Sequence, residues 1–432
     1  MLSPDENALL TQTNAGTPMG ELFRRFWWPI FIPDELPQPD GDPVRTRLLG
    51  EDLVAFRDTN GKVGIVEAYC PHRRAPLFFG RNEACGLRCV YHGWKFDVSG
   101  NCVDMPSEPP ESNFKDKVHI KAYPTMEWAG MVWVYMGPRD KLPEHPPELA
   151  GIDGSKNIRA TKWIQECNYM QGVEGDIDTA HISFLHSDTS GENPGPAGSA
   201  PPSAARSAAK WPRLTALDTD YGMVYGGRRD TADGSFYWRV TQWMLPMYSL
   251  IPQGPGACTA WLPVDDHHCI RYNLGVAPGE GAPPRPGQFS PDPRVVVETV
   301  RGAYTFPDGG VMDTCIPVEN KRNLYGLDRA WQKRGSFSGI KSIPTQDRAM
   351  TEGMGWVCDR SKEHLGTTDI AVITARRRLV SMARDLEKGI EPFAATHPEV
   401  FRVRALGIVS PEPTLEELLR THADKVRPPV PA

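Results

Sequence analysis

The spacing of four residues restricts this chain more than any bulk property. Cys70 and His72 are followed, after sixteen residues, by Cys89 and His92, in the pattern C-x-H-x16-C-x2-H. Two short loops thus each supply one thiolate and one imidazole, a set able to enclose a metal centre. Zinc accepts two Cys and two His, but zinc loops usually pair Cys with Cys and His with His. One Cys and one His per loop suits a [2Fe–2S] cluster instead, with both Cys on one iron and both His on the other. A zinc ribbon is the alternative.

The remainder reads as an ordinary folded protein. A length of 432 residues predicts two domains, and 40% hydrophobic with 24% charged residues is a globular composition. A net charge of −6 without a basic block excludes nucleic acid as a partner. The run Arg376-Arg377-Arg378 lies in a helical pattern and reads as a solvated face. Nine cysteines, two of them cluster ligands and the rest without a pairing pattern, predict free thiols and a reducing cytoplasm. No basic leader with an apolar core opens the chain, and no apolar run reaches about 18 residues, so neither a signal peptide nor a membrane span is expected.

The flanks Cys70-Pro-His72-Arg73 and Cys89-x-Tyr91-His92-Gly93-Trp94-Lys-Phe-Asp97 resemble the Rieske domains of bacterial ring-hydroxylating oxygenases. Respiratory Rieske proteins carry an extra Cys in each loop and a Ser after the second His-Gly; Ala75, Tyr91 and Trp94 stand at those positions here. Fewer hydrogen bonds to the sulfurs predict a potential toward the bottom of the roughly −150 to +300 mV Rieske range.

In chain order, residues 5–28 read as a helix and turn that place aromatics for burial. Alternating strands follow at Arg45-Thr-Arg-Leu-Leu49, Leu53-Val-Ala-Phe-Arg57 and Val63 to Tyr69, with Asn60-Gly61 as a hairpin turn. A β domain over residues 25–140 is expected, then a Pro-rich linker and a second domain over residues 155–415. Residues 168–186 read as helical. The Gly/Pro-rich stretches 191–212 and 277–294 read as loops. Strands are expected near 223–225, 235–243, 259–263 and 269–275, and helices at 345–356 and 367–389. Long strands with a long C-terminal helix imply an antiparallel sheet wrapped around that helix.

Inside 168–186 lies Asp178-x2-His181-x4-His186. On a regular helix residues five apart sit about 140° apart, so a single ion requires the helix to end or bulge between the histidines. Two His and one carboxylate form the facial triad of non-haem Fe(II) oxygenases. Candidates for the carboxylate are Asp347, Glu352, Asp359, Glu363 and Asp369. Both motifs, in this order, resemble Rieske non-haem iron oxygenases over residues 25–390. That resemblance implies an α+β fold, a small all-β Rieske domain followed by a helix-grip catalytic domain. It also selects Asp347, in Gln346-Asp347-Arg348-x3-Glu352, as the third ligand. Asp178 is then the catalytic link that accepts hydrogen bonds from His181 and from a Rieske His, His92, of a neighbouring subunit. This in turn implies a homotrimer or stacked trimers.

No G-x-G-x-x-G fingerprint follows a strand, so NADH is expected to be oxidised by a partner, a flavin/[2Fe–2S] reductase. The overall pattern looks most like the phthalate dioxygenase branch, which implies cis-dihydroxylation of an aromatic carboxylate of phthalate, isophthalate or halobenzoate type by O2. A carboxylate calls for a bidentate Arg, and Arg206 and Arg239 are the candidates. An O- or N-demethylase of the same architecture is the first alternative. An electron-transfer Rieske protein with a non-catalytic ligand-binding domain is the second.

Overall fold

The computed structural model describes residues 2–36, 38–149, 158–190, 211–252, 258–276 and 296–427. Arg206 and most of both Gly/Pro-rich stretches lie outside these residues. The opening segment divides where the sequence reading had one helix. Helix Pro4–Thr11 is capped by a Ser3/Glu6 capping box, and helix Pro18–Phe23 starts from Thr17 with proline in its first turn. Trp27–Phe31 is already a strand and pairs with Met131–Tyr135.

Between those two strands lies a small β unit. Val44–Leu48, Glu51–Arg57, Val63–Glu67 and Ala122–Tyr123 form one four-stranded antiparallel sheet, and Arg81–Glu83, Gly86–Arg88, Lys95–Phe96 and Cys102–Asp104 form another. Val54, Phe56, Val66, Leu87, Trp94 and Phe96 fill a core between them that also holds Cys70 and Cys89. The second unit is an eight-stranded antiparallel sheet. Its order runs Ile158–Gln165, Cys269–Val276, Cys258–Pro263, Tyr248–Leu250, Phe236–Met244, Gly222–Asp230, Arg213–Thr219, and Leu406–Ser410 adds to Phe236–Met244. Helix Ile370–Glu387 buries Ala371, Val372, Ala375, Leu379 and Val380 on one face, which packs against the last two strands of that order and the N-terminal helices.

The two units share one apolar core in which Trp28 and Trp133 meet Tyr169, Trp243, Tyr248 and Trp261. Ion pairs reinforce the joint. Arg47 bridges Asp52 at 2.7 Å, Asp308 at 2.9 Å and Asp265 at 3.4 Å, and Arg45 grips Asp313 at 2.6 Å. A two-stranded antiparallel hairpin, Thr299–Thr305 with Val311–Pro317, carries Asp308 and Asp313; the sequence reading did not anticipate it.

The expected helix over 168–186 is shorter than that. It runs Tyr169–Ile177 and stops at Asp178, whose φ of −86° and ψ of 116° are extended. Asn168 caps it by accepting from the Met170 N–H at 3.0 Å, while its amide donates to the Thr11 and Asp266 carbonyls. Glu174, mid-helix, accepts from Arg360 at 2.9 Å and Arg376 at 2.6 Å, so helix 370–387 holds it in place. Arg376 is therefore no solvated face: it is 4% exposed and also pairs with Glu363.

Burial pushes the Glu174 carboxyl up, but Arg360 and Arg376 together outweigh it and hold it below the ordinary range. Such a group stabilises the fold above its unfolded value of about 4.3, and the stabilisation is lost as pH falls through the depressed folded value. Glu174→Gln should be less stable than the parent at pH 7 and should lose less stability on acidification to about pH 3, measured by urea midpoints. Parallel pH curves for the two proteins would contradict this anchoring.

Candidate metal centres

The end of helix Tyr169–Ile177 builds the first centre. Beyond it the Asp178 carboxylate accepts from the Ala180 N–H at 2.7 Å, and a 3-10 turn spans His181–Ser183. The Phe184 and Leu185 N–H groups both bond the His181 carbonyl, at 2.9 and 2.8 Å, which folds the chain back so that His186 returns toward His181. The helix thus ends before the first histidine, without a bulge between the two. Helix Ile343–Gly353, with Pro344 in its first turn, brings in Asp347.

The two imidazole Nε2 atoms are 3.2 Å apart, and Asp347 Oδ1 lies 3.7 Å from His181 Nε2 and 3.2 Å from His186 Nε2. Ligand bonds of about 2.1 Å meeting at right angles would separate donor atoms by roughly 3 Å, so one ion fits between all three. Each imidazole keeps its other nitrogen occupied. His181 Nδ1 sits 3.2 Å from Asp178 Oδ2, and His186 Nδ1 is 2.7 Å from Gln346 Oε1. Gln346 is itself fixed by donating to the Ile340 carbonyl at 2.6 Å. Such partners set the tautomer and aim the free nitrogen at a metal.

The other carboxylate candidates are engaged elsewhere. Glu352 accepts from the Tyr325 hydroxyl at 2.6 Å, Glu363 pairs with Arg376, Asp359 with exposed Lys362, and Asp369 accepts from the Gly366 N–H.

Electrostatics favour a cation here. Burial raises the Asp347 carboxyl, yet His186 and His181 together outweigh it and keep it ionised below the ordinary range. Burial opposes protonation of His181, but Asp178 and Asp347 outweigh it and hold the ring above its usual value. Asp176, in the last turn of the helix, is pushed up to about 6 by burial, against the pull of Arg271 and the Trp261 indole N–H at 2.7 Å. Arg271 is itself held over the Trp163 and Trp261 rings, at 5.1 and 5.2 Å.

Beside this centre lies the sheet. Tyr237, Arg239, Thr241 and Trp243 alternate along one face of their strand. Opposite Arg239 is Gly227, where a Cβ would come within 3.1 Å of the Thr179 side chain. Arg239 is 7% exposed and Arg229 8%, and among the described residues neither forms an ion pair with a carboxylate. Arg229 donates to the Thr179 carbonyl at 3.3 Å. Burial drives both guanidiniums toward losing charge, and Arg239 pushes Arg229 further that way. Among the described residues Arg239 Nε, Trp243 Nε1 and Thr179 Oγ1 are buried without hydrogen-bond partners. Arg229 escaped the sequence reading because only strand register brings it here; Asp176 and Gln346 lie next to named residues, but their roles show only in the contacts they make.

The second centre lies in the β unit. Cys70 and Cys89 are buried, His72 is exposed and His92 half-buried, so the thiols face inward and the imidazoles outward. Both loops are closed by backbone bonds, Cys70 N to Ala75 O at 2.9 Å and Cys89 N to Trp94 O at 2.8 Å. Gly93, at φ +79°, is required: a Cβ there would lie 2.7 Å from Pro106. Arg88 pins the second loop, donating to the Gly93 carbonyl at 2.6 Å and pairing with Glu83 and Asp104. Burial pushes the Cys70 thiol up to about 11; the His72 N–H opposes this and Cys89 adds to it, so the thiolates need a cation between them. Among the described residues only His181, His186 and Asp347 gather three donor atoms within 4.8 Å of one another. No three of the Cys70, His72, Cys89 and His92 donors therefore converge on one zinc ion, whereas a two-iron cluster spans a wider set.

Comparison with known proteins agrees. Residues 26–124 match the model of the Rieske [2Fe-2S] domain, and residues 134–414 match that of the LigXa C-terminal domain like family. The chain is 41% identical over 399 residues to the phthalate 4,5-dioxygenase oxygenase subunit of Pseudomonas putida, covering 90% of this chain and 88% of that one. It is 30% identical over 428 residues to the 5,5'-dehydrodivanillate O-demethylase oxygenase subunit of a Sphingobium species, covering 96% and 87%. The crystal structure of dicamba monooxygenase bound to dicamba shares the fold at a TM-score of 0.54 and 16% identity, over 85% of this chain and 99% of that one.

Asp347→Ala should cut bound iron from about three to about two per chain and leave the cluster's visible absorption intact. Gln346→Leu, which frees the His186 ring, should weaken the mononuclear metal by about 10- to 100-fold in chelator competition. Unchanged metal retention in both variants would refute the assignment.

Proposed function

Because the chain belongs to the Rieske non-haem iron ring-hydroxylating oxygenases, as an oxygenase component carrying a [2Fe–2S] cluster and a mononuclear iron, we propose that it cis-dihydroxylates an aromatic carboxylate. Membership implies a reductase partner and an aromatic substrate; the carboxylate is our inference. What supports it is the pair of buried guanidiniums, Arg239 and Arg229, beside His181 with no carboxylate partner among the described residues. Leaving a buried cation unpaired is costly, so these guanidiniums favour an anionic guest.

In this reading Cys70, His72, Cys89 and His92 hold the cluster, and His181, His186 and Asp347 hold the iron. The iron, when bound, supplies the site at which O2 is reduced, with electrons arriving one at a time from the cluster. The balance is ring plus O2, two electrons and two protons to cis-dihydrodiol. Arg239 anchors the carboxylate and so orients the ring. Asp178 and Gln346 fix the two imidazoles, and the aromatic sheet face restricts water.

Asp178 has a second task. Its side chain keeps 28% of its surface open while Oδ2 serves His181. We infer that it also accepts from His92 of a second copy, within a homotrimer or stacked trimers, so that electrons cross between subunits. Exposed apolar side chains surround both faces, Phe79, Val90, Tyr91 and Phe114 near the cluster and Phe184 and Phe337 near the iron. The electrons come from NADH through a flavin/[2Fe–2S] reductase. The seven cysteines besides Cys70 and Cys89 form no disulfide and fit a reducing cytoplasm, and no helix among the described residues is long and apolar enough to cross a membrane.

Demethylation is a second reading, favoured by the likeness to the O-demethylase subunit over nearly the whole chain. NADH-driven O2 uptake across phthalates, halobenzoates and methoxybenzoates separates the two by product, a cis-dihydrodiol against formaldehyde. Arg239→Ala should lose about 1.5–3 kcal/mol of carboxylate binding, a KM rise of about 10- to 150-fold, with Arg239→Lys in between. An unchanged KM for every carboxylate would sink the anchoring role.

A further inference from the structure

The two cluster-side histidines sit in unlike surroundings. The His72 ring lies flat on the Trp94 indole, with centroids 4.5 Å apart and planes 7° from parallel. That indole is itself fixed. It is 4% exposed, donates from Nε1 to Ser107 Oγ at 3.1 Å, and meets the Phe114 ring edge-on at 6.0 Å. Its own backbone carbonyl closes the second ligand loop by accepting from Cys89 N–H. The His92 ring is instead tilted by 45° against Tyr91, which is 54% exposed, and meets His72 edge-on at 4.3 Å.

We propose that Trp94 is a positioning residue that holds the His72 ring and lowers the reduction potential of the cluster. The inference rests on Cys70, His72, Cys89 and His92 being the cluster ligands. Two neutral imidazoles leave their iron poorer in electrons than the thiolate-bound iron, so one added electron settles on the imidazole side. The face of an indole carries the negative lobe of its quadrupole and therefore opposes added negative charge next to it. The same ring keeps water off one face of His72, and a drier surrounding also disfavours the more negative, reduced state. Both effects have the same sign. The position filled by Ser in respiratory Rieske proteins thus holds a group that acts beyond the mere loss of a hydrogen bond to sulfur.

The test uses the full chain with Trp94→Phe, Trp94→Leu, Ser107→Ala and, as a control in the same core, Phe96→Leu. Iron content and visible circular dichroism first establish that the cluster is present, and redox titration then reads the midpoint. Trp94→Leu should shift it upward, with Trp94→Phe and Ser107→Ala shifting it less and Phe96→Leu leaving it near the parent. A parent midpoint in Trp94→Leu with full cluster content overturns the proposal, as does an equal shift in Phe96→Leu. Should Trp94→Leu lose its cluster, unchanged midpoints in both Trp94→Phe and Ser107→Ala overturn it instead. A parent protein with zinc in place of iron would refute the cluster and the proposal with it; because metal content is read before any midpoint, this failure is distinct from an unmoved potential.

Discussion

The stop at Asp178 is the constraint on which the catalytic half depends. Had the helix Tyr169–Ile177 continued, His181 and His186 would point about 140° apart and share no ion. An extended Asp178 and the tight turn after it place both Nε2 atoms within 3.2 Å. The carboxylate that ends the helix also orients the first imidazole, so one side chain shapes the backbone and prepares the ligand. Its preceding helix is held on several sides, by Asn168 at the start, by Glu174 between Arg360 and Arg376, and by the Trp261 indole on Asp176. Gly172 allows the close approach, since any Cβ there would collide with the Trp261 ring.

The cluster half uses the opposite arrangement. The Cys70 thiol, which burial would keep protonated, lies with Cys89 in the core, and the imidazoles are placed further out. Negative charge is thereby enclosed in the core, and the proposed electron path leaves by the two imidazoles on the outer side. Packed contacts and ion pairs join the two halves. Arg47 holds carboxylates from both, and the backbone of Leu49 and Gly50 donates to Pro263 and Val264.

Much of this was legible in the sequence because it is written in local spacing. Cys70 to His92 lie within one pair of loops, and Asp178, His181 and His186 within nine residues. The Asn60-Gly61 turn and the long C-terminal helix were equally local. Asp347 was named through a family resemblance, since nothing in its own neighbourhood separates it from Glu352 or Asp359. Few strand formers lie in 168–186, so the sequence predicts a longer helix than the one that the Asp178 side chain's bond to the Ala180 N–H ends. The hairpin Thr299–Thr305 and Val311–Pro317 and the nearness of Arg229, opposite Tyr237, to Arg239, opposite Gly227, were hidden. Both arise from strand register and from contacts between distant segments, to which periodicity is blind. Arg239 could be suspected from an Arg among apolar neighbours, while Arg206 lies outside the described residues.

The central claim is that one polypeptide houses two separate iron centres with different ligand sets. Mössbauer spectroscopy of the chemically reduced, iron-57-loaded protein tests it most directly. The account predicts a valence-localised two-iron cluster and a distinct high-spin ferrous site, with intensities of about two to one. A single iron population, or zinc at the mixed thiolate and imidazole loops, would contradict it.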